Sequence, residues 1–254
     1  IRTTGLIPAK RVLVVGLGER KDFDDEVVRV AAAASLNAAR GLRAKNVVSI
    51  LHGAGNGGLH PRACGKAMAE GVRMAAYFFG RYKDDTGGKP PVMFEIVTID
   101  PKAVKPASEG VQAGDLFARA TTFARDLVNT PRQHMAPSDL VSAARGVAKG
   151  KGSITVKVFD KEQLKRMGAG GLLGIAQGSE HPPSMVHLVY KPKVKSKKKI
   201  AFVGKAVTFD SGGLSLKPAE HMTTMKLDMS GAADVLGVFS VIAELAPKME
   251  VHGI

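Results

Sequence analysis

The sequence predicts an α/β protein in which a smaller N-terminal α/β domain is joined by a long helix to a larger α/β domain. Three observations carry this. Apolar runs of strand length alternate with Ala-rich stretches whose apolar residues recur at helical spacing. The 254 residues exceed the ~150 of one ordinary domain. A long helical pattern also sits between two such alternating regions. The expected division is 1–105 for the first domain, 106–129 for the linker helix and 130–254 for the second domain.

Arg11-Val-Leu-Val-Val-Gly16 is an apolar run ending in glycine, as a buried strand would be. Gly16-Leu-Gly18 follows, but Lys21 stands where a dinucleotide fingerprint needs its next glycine, so no nucleotide site is assigned. The acidic segment Asp22 to Glu26 opens a helix over Val27 to Leu42, and Asn46 to Leu51 reads as a second buried strand. Lys66 to Phe79 is helical in spacing. A Gly/Pro/Lys break over Asp84 to Pro91 precedes the strand-like Val92 to Ile99.

Glu109 to Val128 places Val111, Leu116, Ala118, Phe123 and Leu127 at helical spacing and stops at Asn129-Thr130-Pro131. Beyond it, Asp139 to Ala148 reads as a helix, Ile154 to Phe159 as an alternating strand and Lys161 to Met167 as a short helix ended by glycines. Met185 to Tyr190 and Ile200 to Val203 read as neighbouring strands around a lysine-rich loop. Gly231 to Leu245 has the dense apolar pattern of a buried helix, and Val251 to Ile254 begins another strand.

Hydrophobic content of 44% and charged content of 24%, with a mean hydropathy near zero, are ordinary for a globular chain. No apolar run approaches the ~20 residues of a membrane helix, and no signal-peptide core follows the first residues. No membrane partner is expected. Cys64 is the single cysteine, which excludes an internal disulfide and a Cys-based zinc cluster and fits a reducing cytoplasm. The net charge of +14 admits nucleic acid as a partner without making it the expected one. Six of the lysines crowd into Lys191 to Lys199 without interleaved aromatics, the pattern of a solvated loop.

The chemistry concentrates between Val203 and Met229. Lys205 and Asp210 fall just past a strand end, where α/β folds place ligand sites. Gly212 and Gly213 allow a tight reversal that would return Lys217 toward the same crevice, and Asp228 brings a second carboxylate before the buried helix. Carboxylates suit divalent cations. An ammonium has no lone pair, so Lys205 could join them only as the neutral amine, while Lys217 could stay charged beside an oxyanion. By spacing alone, an exposed turn with a structural ion pair is the commoner reading. The seven histidines include no pair at the i, i+4 spacing of a helical zinc motif, and Ser211 lacks the Gly-x-Ser-x-Gly elbow of a serine hydrolase.

VGKAVTFDSGGLSLKP, residues 203–218, followed by MKLDMSGAADVLG, residues 225–237, resembles the two linked signatures of the leucyl aminopeptidase, or cytosol aminopeptidase, family of metallopeptidases. RDLVNTPRQHMAP (125–137) and MGAGGLLGIAQGSEHPP (167–183) are similar to further parts of the catalytic domain. KRVLVVGLGER (10–20) and AMAEGVRMAAYFFGRYK (67–83) resemble parts of the N-terminal domain. Ala206 departs from the glycine usual at its position.

The resemblance implies a catalytic domain with a central mixed sheet, incomplete in this chain. It also implies removal of N-terminal residues from peptides, Leu-like preferred, by a two-metal bridging-water mechanism. Lys205, Asp210 and Asp228 would be metal ligands, Lys217 the catalytic lysine and Met225 a wall of the pocket for the first side chain. Two divalent ions per subunit, Zn2+ or Mn2+, peptide substrates with a free N-terminus, a homohexamer and a cytoplasmic location belong to the same expectation. The family's Asn-Thr-Asp-Ala-Glu-Gly-Arg signature, with its further ligands and catalytic arginine, is expected after Ile254, and an opening segment before Ile1. The alternative is a DNA-binding or structural member without peptidase activity.

Overall fold

The computed structural model describes residues 1–84 and 93–254. The chain divides into two compact units, Ile1–Ala118 and Arg119–Ile254. Each is α/β.

The first unit carries helix α1 (Asp25–Gly41), strand β1 (Asn46–Ile50), helix α2 (Pro61–Ala76), strand β2 (Met93–Val97) and residues 101–118 of helix α3 (Pro101–Asn129). Asp24 caps α1 by accepting the Val27 N–H at 3.0 Å. α2 starts five residues ahead of its expected position because His60 caps it, accepting the Arg62 N–H, and Pro61 fits the first turn. β1 and β2 are parallel, with Val47 opposite Phe94 and Ser49 opposite Ile96, and α2 lies in the connection that parallel pairing requires. Phe94 and Ile96 pack against a core of Val28, Ala32, Leu51, Cys64, Ala67 and Met68. α2 and α3 approach through glycines, since a Cβ on Gly110 would strike the Arg62 carbonyl and one on Gly114 the Lys66 carbonyl. The buried Glu70 carboxylate is held by Arg29 at 2.8 Å and Lys66 at 2.7 Å.

Three expectations fail here. Arg11 to Gly16 forms no strand: its ties include an isolated bridge between Arg2 and Arg11, reciprocal bonds between Val12 and Ile1, and Arg11 Nη1 donating to the Leu42 carbonyl. Strand propensity describes fit to a pleated surface, and without a ladder partner an apolar run does not become a strand. β1 is present but not buried on both faces, for Val48 and Ile50 point away from the helices and are 61% and 71% exposed. α3 begins eight residues ahead of Glu109 and contains Pro106, whose missing N–H costs the helix one bond near its start without stopping it. The expected break over Asp84 to Pro91, apart from Asp84, and the first residue of the expected strand, Val92, lie outside the described residues.

The second unit continues from α3 through α4 (Pro137–Ala148), β3 (Ile154–Phe159), α5 (Lys161–Arg166), α6 (Gly170–Ile175), β4 (Met185–Tyr190), β5 (Lys199–Phe202), α7 (Ala219–Met222), α8 (Ser230–Leu245) and β6 (Glu250–Gly253). The strands form a mixed sheet in the order β3-β4-β6-β5, antiparallel except for the β6–β5 pair. α8 presents Met229 from its N-cap and then Ala233, Leu236, Phe239 and Ile242, an apolar stripe at helical spacing. That stripe meets Leu140 and Ala144 of α4 and Leu188, Tyr190 and Val251 of the sheet in one core. The lysine loop links β4 to β5 and is largely exposed. Among the described residues no helix is long and apolar enough to cross a membrane.

His187 of β4 lies opposite Lys157 of β3, and its Nε2 is 2.9 Å from Nδ1 of His252 on β6. Burial, and then the charges of His252 and Lys157, hold its pKa below the ordinary imidazole value. As pH falls through about 6.5 the unfolded chain takes up the proton that folded His187 refuses, so stability declines on acidification and levels off below the folded pKa. Chemical denaturation at pH 7.5 and 5.5 is expected to show this loss, and His187→Gln to reduce it. An equal loss in the variant would remove His187 as its source.

Candidate metal centre

β5 ends at Phe202, yet the chain stays tied to β6 beyond it: the Gly204 N–H donates to the Ile254 carbonyl at 2.8 Å. The start of α8 then closes on this segment. The Ala232 N–H donates to the Lys205 carbonyl at 2.9 Å. Gly204 and Gly231 face each other so closely that a Cβ on Gly231 would stand 2.8 Å from the Lys205 nitrogen and one on Gly204 would strike the Gly231 carbonyl. Two residues without side chains therefore let a strand end and a helix start share one space. The clasp brings Lys205, just past β5, to Asp228, just before α8.

Lys205 Nζ lies 2.8 Å from Asp228 Oδ2. The contact is a close ion pair in which the ammonium faces the buried Asp228 Oδ2. The Asp228 side chain is 18% exposed and that of Lys205 58%. Asp228 first, and the charge of Asp210 after it, hold the Lys205 ammonium above its ordinary pKa against the opposing effect of desolvation.

Asp210 sits at the head of the glycine turn. Its Oδ1 accepts the Gly212 N–H at 2.9 Å and its Oδ2 accepts from Lys217 Nζ at 2.7 Å. Gly212 has φ +89°, a left-handed conformation that lets the chain reverse, and the Lys217 N–H donates to the Ser211 carbonyl at 2.9 Å to close the loop. Lys217 Nζ also lies 3.0 Å from Met225 Sδ. Lys217, then the Gly212 N–H, then the charge of Lys205 keep the Asp210 carboxyl below the usual carboxylate range.

The five residues singled out in the sequence thus form two pairs in one connection. Lys205 meets Asp228, Asp210 meets Lys217 with Met225 beside it, and Lys205 feels the charge of Asp210. Among the described residues no three His, Cys, Asp or Glu side chains converge as a metal site. His221 stands near the motif, but it is exposed and pairs with its neighbour Glu220. The Gly204–Gly231 clasp escaped the sequence reading. Its signal was the GAA at the head of an apolar helix, which shows small residues but not what they approach.

The donor set fits divalent cations. Two carboxylates each turn one oxygen to an ammonium, positive charge that a divalent cation could replace. Lys205 adds a third donor if it gives up its proton.

The family model described as "Cytosol aminopeptidase family, N-terminal domain" matches residues 1–86, and "Cytosol aminopeptidase family, catalytic domain" matches residues 122–254. Among curated proteins, a probable cytosol aminopeptidase of Alkaliphilus oremlandii is 36% identical over 256 residues, covering 100% of this chain and 51% of its own length. One of Aquifex aeolicus is 38% identical over 243 residues, covering 96% and 48%. The chain spans about half the length of the curated relatives it matches. Among solved structures, the bottromycin maturation enzyme BotP in complex with Mn superposes with a TM-score of 0.82 at 33% identity, over 94% of this chain and 49% of that one. A mutant of tomato leucine aminopeptidase gives 0.79 at 28% identity, over 94% and 46%.

Proposed function

The chain belongs to the cytosol aminopeptidase family, and from that premise we propose that the protein is a metal-dependent aminopeptidase removing N-terminal residues, Leu-like preferred, from peptides. The observation that carries this reading is the pairing of Lys205 with Asp228 and of Asp210 with Lys217 inside the segment matched by the catalytic-domain model. The catalytic domain is read as beginning at residue 130, with 106–129 as its linker.

Asp210, Asp228 and neutral Lys205 would hold two divalent ions, manganese or zinc; a neighbouring fold is described with Mn bound. Such ions, when bound, supply Lewis acidity and lower the pKa of water. Lys205 must release its proton as a cation takes over the charge balance of Asp228. Lys217, already held against Asp210 and Met225, would lend its positive charge to the oxygen that turns negative when the peptide carbonyl is attacked. Met225 would wall the space for the first side chain. A free α-amine on the substrate would supply a further donor, which would restrict cleavage to N-termini. The family's further Asp, Glu and Arg would come from the half of the relatives' length that this chain does not span. A homohexamer in the cytoplasm is part of the same proposal, tested by light scattering of the purified protein and by cell fractionation.

The experiment is hydrolysis of leucine p-nitroanilide by the full-length protein. Activity is expected to vanish after EDTA, to return with Mn2+ or Zn2+ and to be absent on the N-acetylated substrate. Unchanged rates after complete metal removal would defeat the reading.

A further inference from the structure

Asp228 is flanked by two different anchors. On its C-terminal side Met229 is fully buried in the core of the second unit. On its N-terminal side stands a short 3-10 turn, Met225–Leu227, which buries no residue. Internally the turn is closed by the Leu227 N–H to the Thr224 carbonyl at 2.9 Å and a longer Asp228 N–H to the Met225 carbonyl at 3.3 Å. Packing therefore does little to fix it.

One side chain reaches out of the turn to a distant element. Lys226 Nζ donates to the Asn129 carbonyl at 2.9 Å, across 97 positions of sequence. Asn129 is the last residue of α3, where helix carbonyls lack intrahelical partners and the helix dipole favours a cation. That helix end is itself firm: Thr130 is buried, and its hydroxyl and N–H both donate to the Asp126 carbonyl. The ammonium groups that meet the two carboxylates are those of Lys205 and Lys217. Lys226 spends its charge on backbone.

We propose that Lys226 is a positioning residue: by pinning the Met225–Leu227 turn to the end of α3, it sets where Asp228 and Met225 stand relative to Lys205 and Lys217. This rests on the metal-centre reading given above. It assigns Lys226 no contact with substrate or ion. Outer groups that orient ligands typically change metal affinity by ~10- to 100-fold when removed, and a turn that buries no residue gains freedom when its tie is cut.

The test uses the full-length protein with Mn2+ as the probe, and the wild type is measured first. Lys226→Met keeps the aliphatic stem and removes the donor. It is expected to weaken Mn2+ binding by ~10-fold or more and to lower kcat on leucine p-nitroanilide more than it raises KM, while the metal-free melting temperature changes little. Lys226→Arg, which keeps a cationic donor, is expected to recover most of the affinity. Leu188→Ala, a core control on β4, is expected to lower the melting temperature strongly. Wild-type Mn2+ affinity in Lys226→Met overturns the proposal, as does an affinity loss that merely tracks loss of stability as in Leu188→Ala. If Lys226→Met does not fold, Lys226→Leu, which also lacks a donor, carries the same comparison. Absence of Mn2+ binding by the wild type would instead bring down the metal-centre reading and this inference with it.

Discussion

Lys217→Ala is expected to lower kcat for peptide hydrolysis by about 100- to 1,000-fold, the effect of removing one preorganised charge from a developing oxyanion, while Mn2+ stays bound at least as tightly as in the wild type. The two halves of this result have one cause. The Lys217 ammonium stands 2.7 Å from Asp210 Oδ2, so it competes for the very oxygen a cation would use. Deleting it frees that oxygen and removes the group that would answer charge on the substrate. Asp210 also loses the first cause of its lowered pKa. In the metal-free variant it protonates nearer its ordinary value, so as pH falls Mn2+ is lost sooner than from the wild type. Titration of Mn2+ at pH 7.5 and 4, with steady-state kinetics at pH 7.5, reads both. Loss of Mn2+ binding at neutral pH along with activity would show Lys217 to be structural.

Gly231→Ala is expected to destabilise the protein and disable the centre together. In a helix, glycine to alanine is ordinarily a gain of ~1 kcal/mol. Here the new methyl would stand 2.8 Å from the Lys205 backbone nitrogen, closer than real Cβ contacts allow, and that nitrogen belongs to a segment tied to both β6 and α8. Neither side can withdraw cheaply. Overpacking of this kind costs ~1–3 kcal/mol, which outweighs the propensity gain and reverses the sign. Relief by moving α8 away from residue 205 would separate Asp228 from Lys205, so Mn2+ affinity falls as well. Urea denaturation and Mn2+ titration of the variant check both; a net increase in stability would show that the clasp is looser than described.

Most elements of the second unit were legible because their signals are local. Ile154–Phe159 and Met185–Tyr190 are strands where alternation and β-branched content put them, and the apolar spacing of α8 announced a buried helix. Elements that depend on partners were not. Arg11 to Gly16 has the composition of a strand but among the described residues pairs only through an isolated bridge at its start, and Pro101 and Pro106 disguised the first turns of α3. At the candidate centre the residue types and the glycine reversal could be read from spacing. That Lys205 would face Asp228 and Lys217 would face Asp210 could not, because the pairing follows from a backbone clasp between Gly204 and Gly231 that pattern does not encode.

β5 and β6 run parallel although Lys199 and its partner Glu250 stand about fifty positions apart, and every residue of the candidate centre lies in the loop between them. Closing such a loop loses chain entropy before any ladder bond is gained, and pairings of this separation form slowly. The order of synthesis adds to this, since Gly204 finds its carbonyl partner on Ile254. The Asp210–Lys217 pair is local by contrast, closed within eight residues by its own glycine turn, so the two halves of the candidate centre differ in how much of the fold each requires.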